Sequence, residues 1–222
     1  MGTTIELTAA DGHRFSAYRA DPQGKPRGGL VVIQEIFGVN SHIRGVADGY
    51  AADGYLAIAP ALFDRVERGF EVGYTPPEVE RGRAVRAKVS LDDALKDVAA
   101  TIKAASAAGR VGIVGYCWGG TVAWAAATRL DGLACSAPHN GGGIAEIAAE
   151  GPRCPVMFHF GETDQQIPMA DVEKIRKAQP AQALHVYPAG HGFNCDQRGS
   201  YHAESAKLAR ERTLAFLRKN VG

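Results

Sequence analysis

A thiol framed by glycines stands at Gly115-Tyr116-Cys117-Trp118-Gly119-Gly120, between the stretches Arg110 to Val114 and Thr121 to Leu130. The first stretch reads as a buried strand and the second as an alanine-rich helix, which places Cys117 on a sharp strand-to-helix turn. Glycines beside such a turn let chain and helix approach with no Cβ between them. The turn aims the first free helical N–H groups, Trp118 foremost, and the positive end of the helix dipole at the sulfur. That arrangement favours thiolate and offers a donor to an oxyanion. The same residues would also suit a tight turn around a buried, inert cysteine, so residues elsewhere must decide.

Two other strand ends carry suitable partners. Asp164 follows the apolar run Val156 to Gly161, and His191 follows Leu184 to Tyr187 in the turn Ala189-Gly190-His191-Gly192-Phe193. An imidazole with an ordinary pKa near 6.5 can exchange a proton with a thiol, and a carboxylate behind it fixes its tautomer. Each has a plainer role open to it: Asp164 as the cap of a helix beginning near Met169, His191 as a loop histidine. A fourth residue, Glu35, comes directly after the strand Leu30 to Gln34, where a carboxylate is costly unless paired or hydrogen-bonded. A salt bridge that holds its loop is one role for it, proximity to the thiol another.

These side chains need a scaffold that gathers strand ends. Thr3 to Thr8 and Arg14 to Tyr18 alternate around Asp11-Gly12 and predict an N-terminal antiparallel hairpin. Strands then alternate with helices: Leu30 to Gln34, a helix from about Ser41 to Ala52, Tyr55 to Pro60, a helix over Leu91 to Ala107 with Ser90 as N-cap, then strands at Val111, Leu133, Val156 and Leu184 with helices between, and a last helix from about Tyr201 to Lys219. This pattern predicts an α/β fold, a mostly parallel sheet with helices on both faces, whose loops converge beyond the carboxyl ends of the strands. Phe63 to Lys88 is charged and lacks apolar periodicity, so it reads as an irregular excursion over the sheet.

The 222 residues suit one domain, 1-222. With 45% hydrophobic residues, 22% charged residues and a formal net charge of +1, the chain presents no electrostatic case for nucleic acid or a membrane. No basic start followed by an apolar run opens the sequence, and the four cysteines read as free thiols of a reducing cytoplasm. Cys135, His139, Cys154 and His159 have the types of zinc ligands, yet they fall along two buried strands that would spread them apart, so no metal is expected. Cys195 reads as a loop thiol.

Taken together, Gln34-Glu35-Ile36-Phe37-Gly38, the elbow at Cys117, Asp164 and Ala189-Gly190-His191 resemble the dienelactone hydrolase family over nearly the whole chain. The order nucleophile, acid, histidine is that of the α/β-hydrolase fold. The resemblance implies that fold, a Cys117-Asp164-His191 triad, an oxyanion hole from the N–H groups of Ile36 and Trp118, no cofactor, a cytoplasmic location, and hydrolysis of a small ester or lactone such as the enol-lactones of bacterial aromatic degradation. It leaves a monomer or a small homo-oligomer open. It also implies that Glu35 contacts the thiol at rest, opposes its ionisation, and changes partner when substrate binds. Of the two arginines that hold the substrate carboxylate in that family, one corresponds to Arg83 or its neighbour Arg81. The place of the other holds Cys195, and the nearest arginine is Arg198. Ala137-Pro138-His139-Asn140-Gly141-Gly142 also differs from the family's aromatic segment, with His139 or Asn140 available to line a reshaped pocket. An esterase or thioesterase acting on uncharged substrates, and a non-catalytic binding or thiol-sensing protein, are the other readings.

Overall fold

The computed structural model describes residues 2–222. Its elements are β1 (Thr3–Thr8), β2 (Arg14–Ala20), β3 (Gly29–Ile33), α1 (Ser41–Ala52), β4 (Leu56–Pro60), α2 (Pro76–Arg86), α3 (Leu91–Ala105), β5 (Val111–Tyr116), α4 (Trp118–Arg129), β6 (Leu133–His139), β7 (Met157–Gly161), α5 (Met169–Ala178), β8 (Ala183–Tyr187) and α6 (Ala203–Asn220). All eight strands form one sheet in the order β1-β2-β4-β3-β5-β6-β7-β8. The hairpin β1-β2 joins it antiparallel through β4, and every pairing from β4 to β8 is parallel.

The pleat explains why the parallel strands read as unbroken apolar runs. Val31 and Ile33 face one side with Ile113, under α3 and α4, while Leu30 and Val32 face the other with Val114 and Leu217 of α6. Both faces are covered, so neither set of alternating positions needs to be polar. Among the described residues no helix is long and apolar enough to cross a membrane.

The excursion after β4 is more ordered than its composition suggests. A 3₁₀ turn, Leu62–Arg65, is followed by the eleven-residue α2. Its start is written in Thr75-Pro76-Pro77-Glu78: proline suits the first helical turn, and the Glu78 carboxylate accepts the Thr75 N–H at 3.0 Å and the Thr75 hydroxyl at 2.6 Å. Apolar periodicity could not reveal this helix because only Gly82 and Val85 of it are buried. Elsewhere the bounds differ slightly. The long helix ends at Ala105 and tightens into a 3₁₀ turn, and α6 begins at Ala203, where the His202 ring accepts the Ser205 N–H at 3.3 Å.

Candidate active site

Cys117 has φ 55° and ψ −122°, a backbone conformation that side-chain-bearing residues rarely adopt. Such strain costs about 1–3 kcal/mol. It is held by hydrogen bonds on both sides, the Cys117 N–H donating to the His139 carbonyl at 2.9 Å and the Cys117 carbonyl accepting from Gly120 at 2.8 Å. The glycines are steric requirements. A Cβ on Gly119 would lie 2.4 Å from the Gln34 oxygen, and one on Gly115 would lie 2.0 Å from the Gly119 oxygen. The elbow therefore packs backbone to backbone against the loop after β3, which carries Glu35 and Ile36. Trp118 opens α4, so its N–H has no intrahelical acceptor, and no backbone hydrogen bond among the described residues uses the N–H of Ile36 or of Trp118.

The loops after β7 and β8 bring Asp164 and His191 together, both buried, with His191 Nδ1 2.8 Å from Asp164 Oδ2. Asp164 has no spare capacity. Its Oδ1 accepts the N–H groups of Gln166 at 2.8 Å and Ile167 at 3.2 Å, and its Oδ2 also accepts Asn140 Nδ2 at 3.1 Å. The residue preceding α5 is Pro168, so Asp164 shapes its own loop rather than capping that helix. Burial alone would push the His191 pKa down; the hydrogen bond to Asp164 and the neighbouring Cys117 outweigh it and raise the value to about 10. Burial likewise works against the Asp164 carboxylate, yet His191 holds its pKa below the ordinary value. His191 Nε2 is buried without a hydrogen-bond partner among the described residues, and Cys117 is one of the groups that raise the His191 pKa.

Glu35 is 2% exposed and fully engaged. Oε1 accepts Arg198 Nη1 at 2.9 Å and Oε2 accepts the Tyr74 hydroxyl at 3.2 Å. Arg198 reaches it although Cys195 occupies the expected arginine position. Turns through Cys195 and Arg198 fold the segment back on itself, and the guanidinium crosses Gly192, where a Cβ would lie 2.4 Å from Arg198 Nη1. Phe37 and Tyr74 flank it, with ring centroids 5.6 and 5.7 Å from Cζ. Cys195 lies in the loop before α6 and is buried there, and burial pushes its pKa up to about 11.

Cys117, Glu35, Asn140 and Cys195 share a cavity of about 10 Å³, enough for little more than a water molecule. Larger clefts adjoin it, one of about 560 Å³ sharing His42, Tyr116 and Asn194, the other of about 550 Å³ beside Tyr74 and Arg198. Arg81 and Arg83 are not brought into the cavity. They lie exposed on α2, where Arg81 pairs with Glu67 at 2.5 Å and Arg83 with Glu80 at 2.8 Å, so local carboxylates already neutralise them in solvent. Arg86, one turn on, lies over the Trp118 ring at 5.7 Å.

Sequence reasoning missed Tyr74 and the part played by Asn140. Asn140 has φ 49°, a conformation asparagine tolerates better than most residues; its place directly after the β6 strand is the signal that could have marked it. His139 lines the larger cleft of about 560 Å³ rather than the cavity with Cys117, and it stacks on His159 at 4.1 Å with Thr213 within hydrogen-bonding distance of both rings. Cys135 and Cys154 lie four and five residues back from these histidines, roughly 13–16 Å along extended chain, too far to share an ion with them.

The model of the dienelactone hydrolase family matches residues 15–221. A protein of Synechocystis sp., provisionally named carboxymethylenebutenolidase, is 39% identical over 92% of this chain and 91% of its own. Another of that name from Azospirillum brasilense is 35% identical over 99% and 100%. A crystal structure of a provisionally assigned dienelactone hydrolase from Klebsiella pneumoniae superposes with a TM-score of 0.83 at 33% identity, covering 96% of this chain and 98% of that one.

Proposed function

The chain belongs to the dienelactone hydrolase family, a hydrolase of esters or lactones, and from that premise we propose that it works through an acyl-enzyme on Cys117. The observation that carries this reading is the strained elbow at Cys117 together with a buried His191–Asp164 pair whose Nε2 has no partner among the described residues and whose pKa Cys117 helps raise. With its pKa raised to about 10, His191 holds the proton of the thiol; the sulfur attacks the substrate carbonyl, and the resulting oxyanion is held by the unused N–H groups of Ile36 and Trp118. His191 then gives its proton to the leaving oxygen. Water, activated by the same imidazole, releases the acid.

Arg198 is the anion contact in this proposal, in preference to Arg83 or Arg81. Its side chain is 18% exposed at the edge of the cleft beside Tyr74 while holding Glu35 inside. A substrate carboxylate arriving there competes with Glu35 for the guanidinium. Glu35, once released, becomes a base within the cavity that contains the thiol. This supports a small carboxylated ester or lactone as substrate.

The test is a panel of carboxylated lactones and their neutral analogues on wild type and Cys117→Ala, with mass spectrometry of the intact chain. Turnover with an acyl adduct in wild type, and neither in the variant, is expected. Full activity in Cys117→Ala would sink the mechanism, and equal rates on neutral analogues would point to a general esterase.

A further inference from the structure

Cys195 stands where the family resemblance leads one to expect an arginine, and its neighbours give the substitution a chemistry of its own. One ligand-type atom from each of Glu35, His42 and Cys195 lies within 4.8 Å of the others, and all three residues are buried. They come from separate segments, the loop after β3, the first turn of α1 and the loop before α6, so chain proximity alone does not gather them. Sulfur, imidazole nitrogen and carboxylate oxygen form a donor set suited to a borderline-soft divalent ion. Metal–ligand bonds of about 2.0–2.3 Å place tetrahedral ligands roughly 3.3–3.7 Å apart, so side-chain rotations of about an ångström close the site.

We propose that Glu35, His42 and Cys195 form a site for Zn²⁺ or a similar divalent ion, and that an ion held there blocks the thiol of Cys117. The fourth position faces the small cavity that Cys117 also lines. Arg198 occupies only Oε1 of Glu35; Oε2 is held by the Tyr74 hydroxyl, which keeps a second partner in Asn40 Nδ2 at 3.2 Å. An ion that takes Oε2 displaces a neutral phenol rather than the guanidinium. Asp196 Oδ1, 3.5 Å from His42 Nδ1, adds negative charge at the edge. Coordination releases the Cys195 thiol proton to solvent and involves no redox change.

The claim that the ion blocks hydrolysis rests on the reading of Cys117 as nucleophile; the claim of binding does not. Titration of the full-length protein with Co²⁺ alone is expected to give a thiolate-to-cobalt band saturating at one equivalent per chain and bleached by Zn²⁺, in wild type and in C117S. Competition with a chromogenic chelator is expected to show Zn²⁺ affinity reduced in H42Q and in C195S by more than about 100-fold, beyond the loss of an outer partner. Ester turnover of wild type is expected to fall in step with Zn²⁺ occupancy. Absence of the thiolate band in wild type overturns the site whether or not the variants fold, as does unchanged Zn²⁺ affinity in both variants. Full occupancy with undiminished turnover overturns the block.

Discussion

Replacing Asp164 with asparagine keeps the shape of the side chain and removes its charge, and the surrounding hydrogen bonds dictate how the amide must sit. Oδ1 accepts two backbone N–H groups, from Gln166 and Ile167, so the amide oxygen is required there. The amide NH₂ then takes the place of Oδ2, facing His191 Nδ1. Asn140 adapts by turning its own amide, since its Oδ1 has no partner and can accept from the new NH₂. His191 cannot adapt without loss. Its Nδ1 must accept, which moves the ring proton to Nε2, the atom that has to take the proton of Cys117. A wrong-tautomer histidine costs serine proteases about 10,000-fold in kcat; a thiol ionises more readily than a hydroxyl, so the expected loss is between about 100-fold and 10,000-fold, or about 3–5 kcal/mol in the barrier. The same change removes the carboxylate that helps hold the His191 pKa at about 10, so the residual activity should follow an imidazole titrating at lower pH. Burst kinetics with an activated aryl ester from pH 5 to 10 measure both effects, with thermal melts as a check on folding. Acylation within about threefold of wild type, at an unshifted pH optimum, would refute proton transfer through this pair.

Gly119→Ala drives a Cβ to 2.4 Å from the Gln34 oxygen and 2.6 Å from the Ile33 oxygen; a destabilisation of about 1–3 kcal/mol, read from urea midpoints, should accompany loss of acylation as the elbow parts from the Ile36 loop. Glu35→Gln should impair acylation with little change in Tm, and wild-type burst rates in that variant would exclude Glu35 from the thiol chemistry. Arg198→Gln should reduce kcat/KM for carboxylated substrates far more than for neutral analogues; equal losses on both would assign Arg198 to structure alone. Burial holds the His139 pKa down at about 3 and His159 well below its ordinary value. Unfolded histidine protonates near pH 6.5, so below that pH the unfolded state binds more protons, and stability falls by about 1.4 kcal/mol per pH unit per histidine until the folded state also protonates. His191 does not oppose this, because its raised pKa contributes stability fully present below pH 6.5 and lost as pH rises toward 10. Urea titrations between pH 7 and 4 should therefore show a steeper decline for wild type than for His139→Asn.

Much of the scaffold was legible because its signals are local. A parallel strand buried on both faces has to be apolar throughout, as Leu30 to Ile33 and Val111 to Val114 are, and the loop after each such strand must emerge at the same end of the sheet. That rule places Cys117, Asp164, His191 and Glu35 together without any knowledge of distances. The glycines around Cys117 were legible for a related reason, since close backbone approach excludes every other residue. α2, inside the stretch read as an irregular excursion, went unread, because a helix lying over the sheet with two buried residues shows no apolar period.

Tertiary structure alone decided which charges meet. Arg83 and Arg81 have the residue type for an anion site, yet they lie on the solvent face of α2 beside Glu80 and Glu67. Arg198, three residues beyond Cys195, folds back across Gly192 to reach Glu35. Tyr74 arrives at the same carboxylate from a segment with no periodic pattern, and Asn140 completes the shell of Asp164 from the end of β6. The physical reason is that strand ends are positioned by backbone pairing, which repeats and can be read residue by residue. The partner of a buried carboxylate is chosen instead by how long side chains cross between loops, and no local period records that crossing.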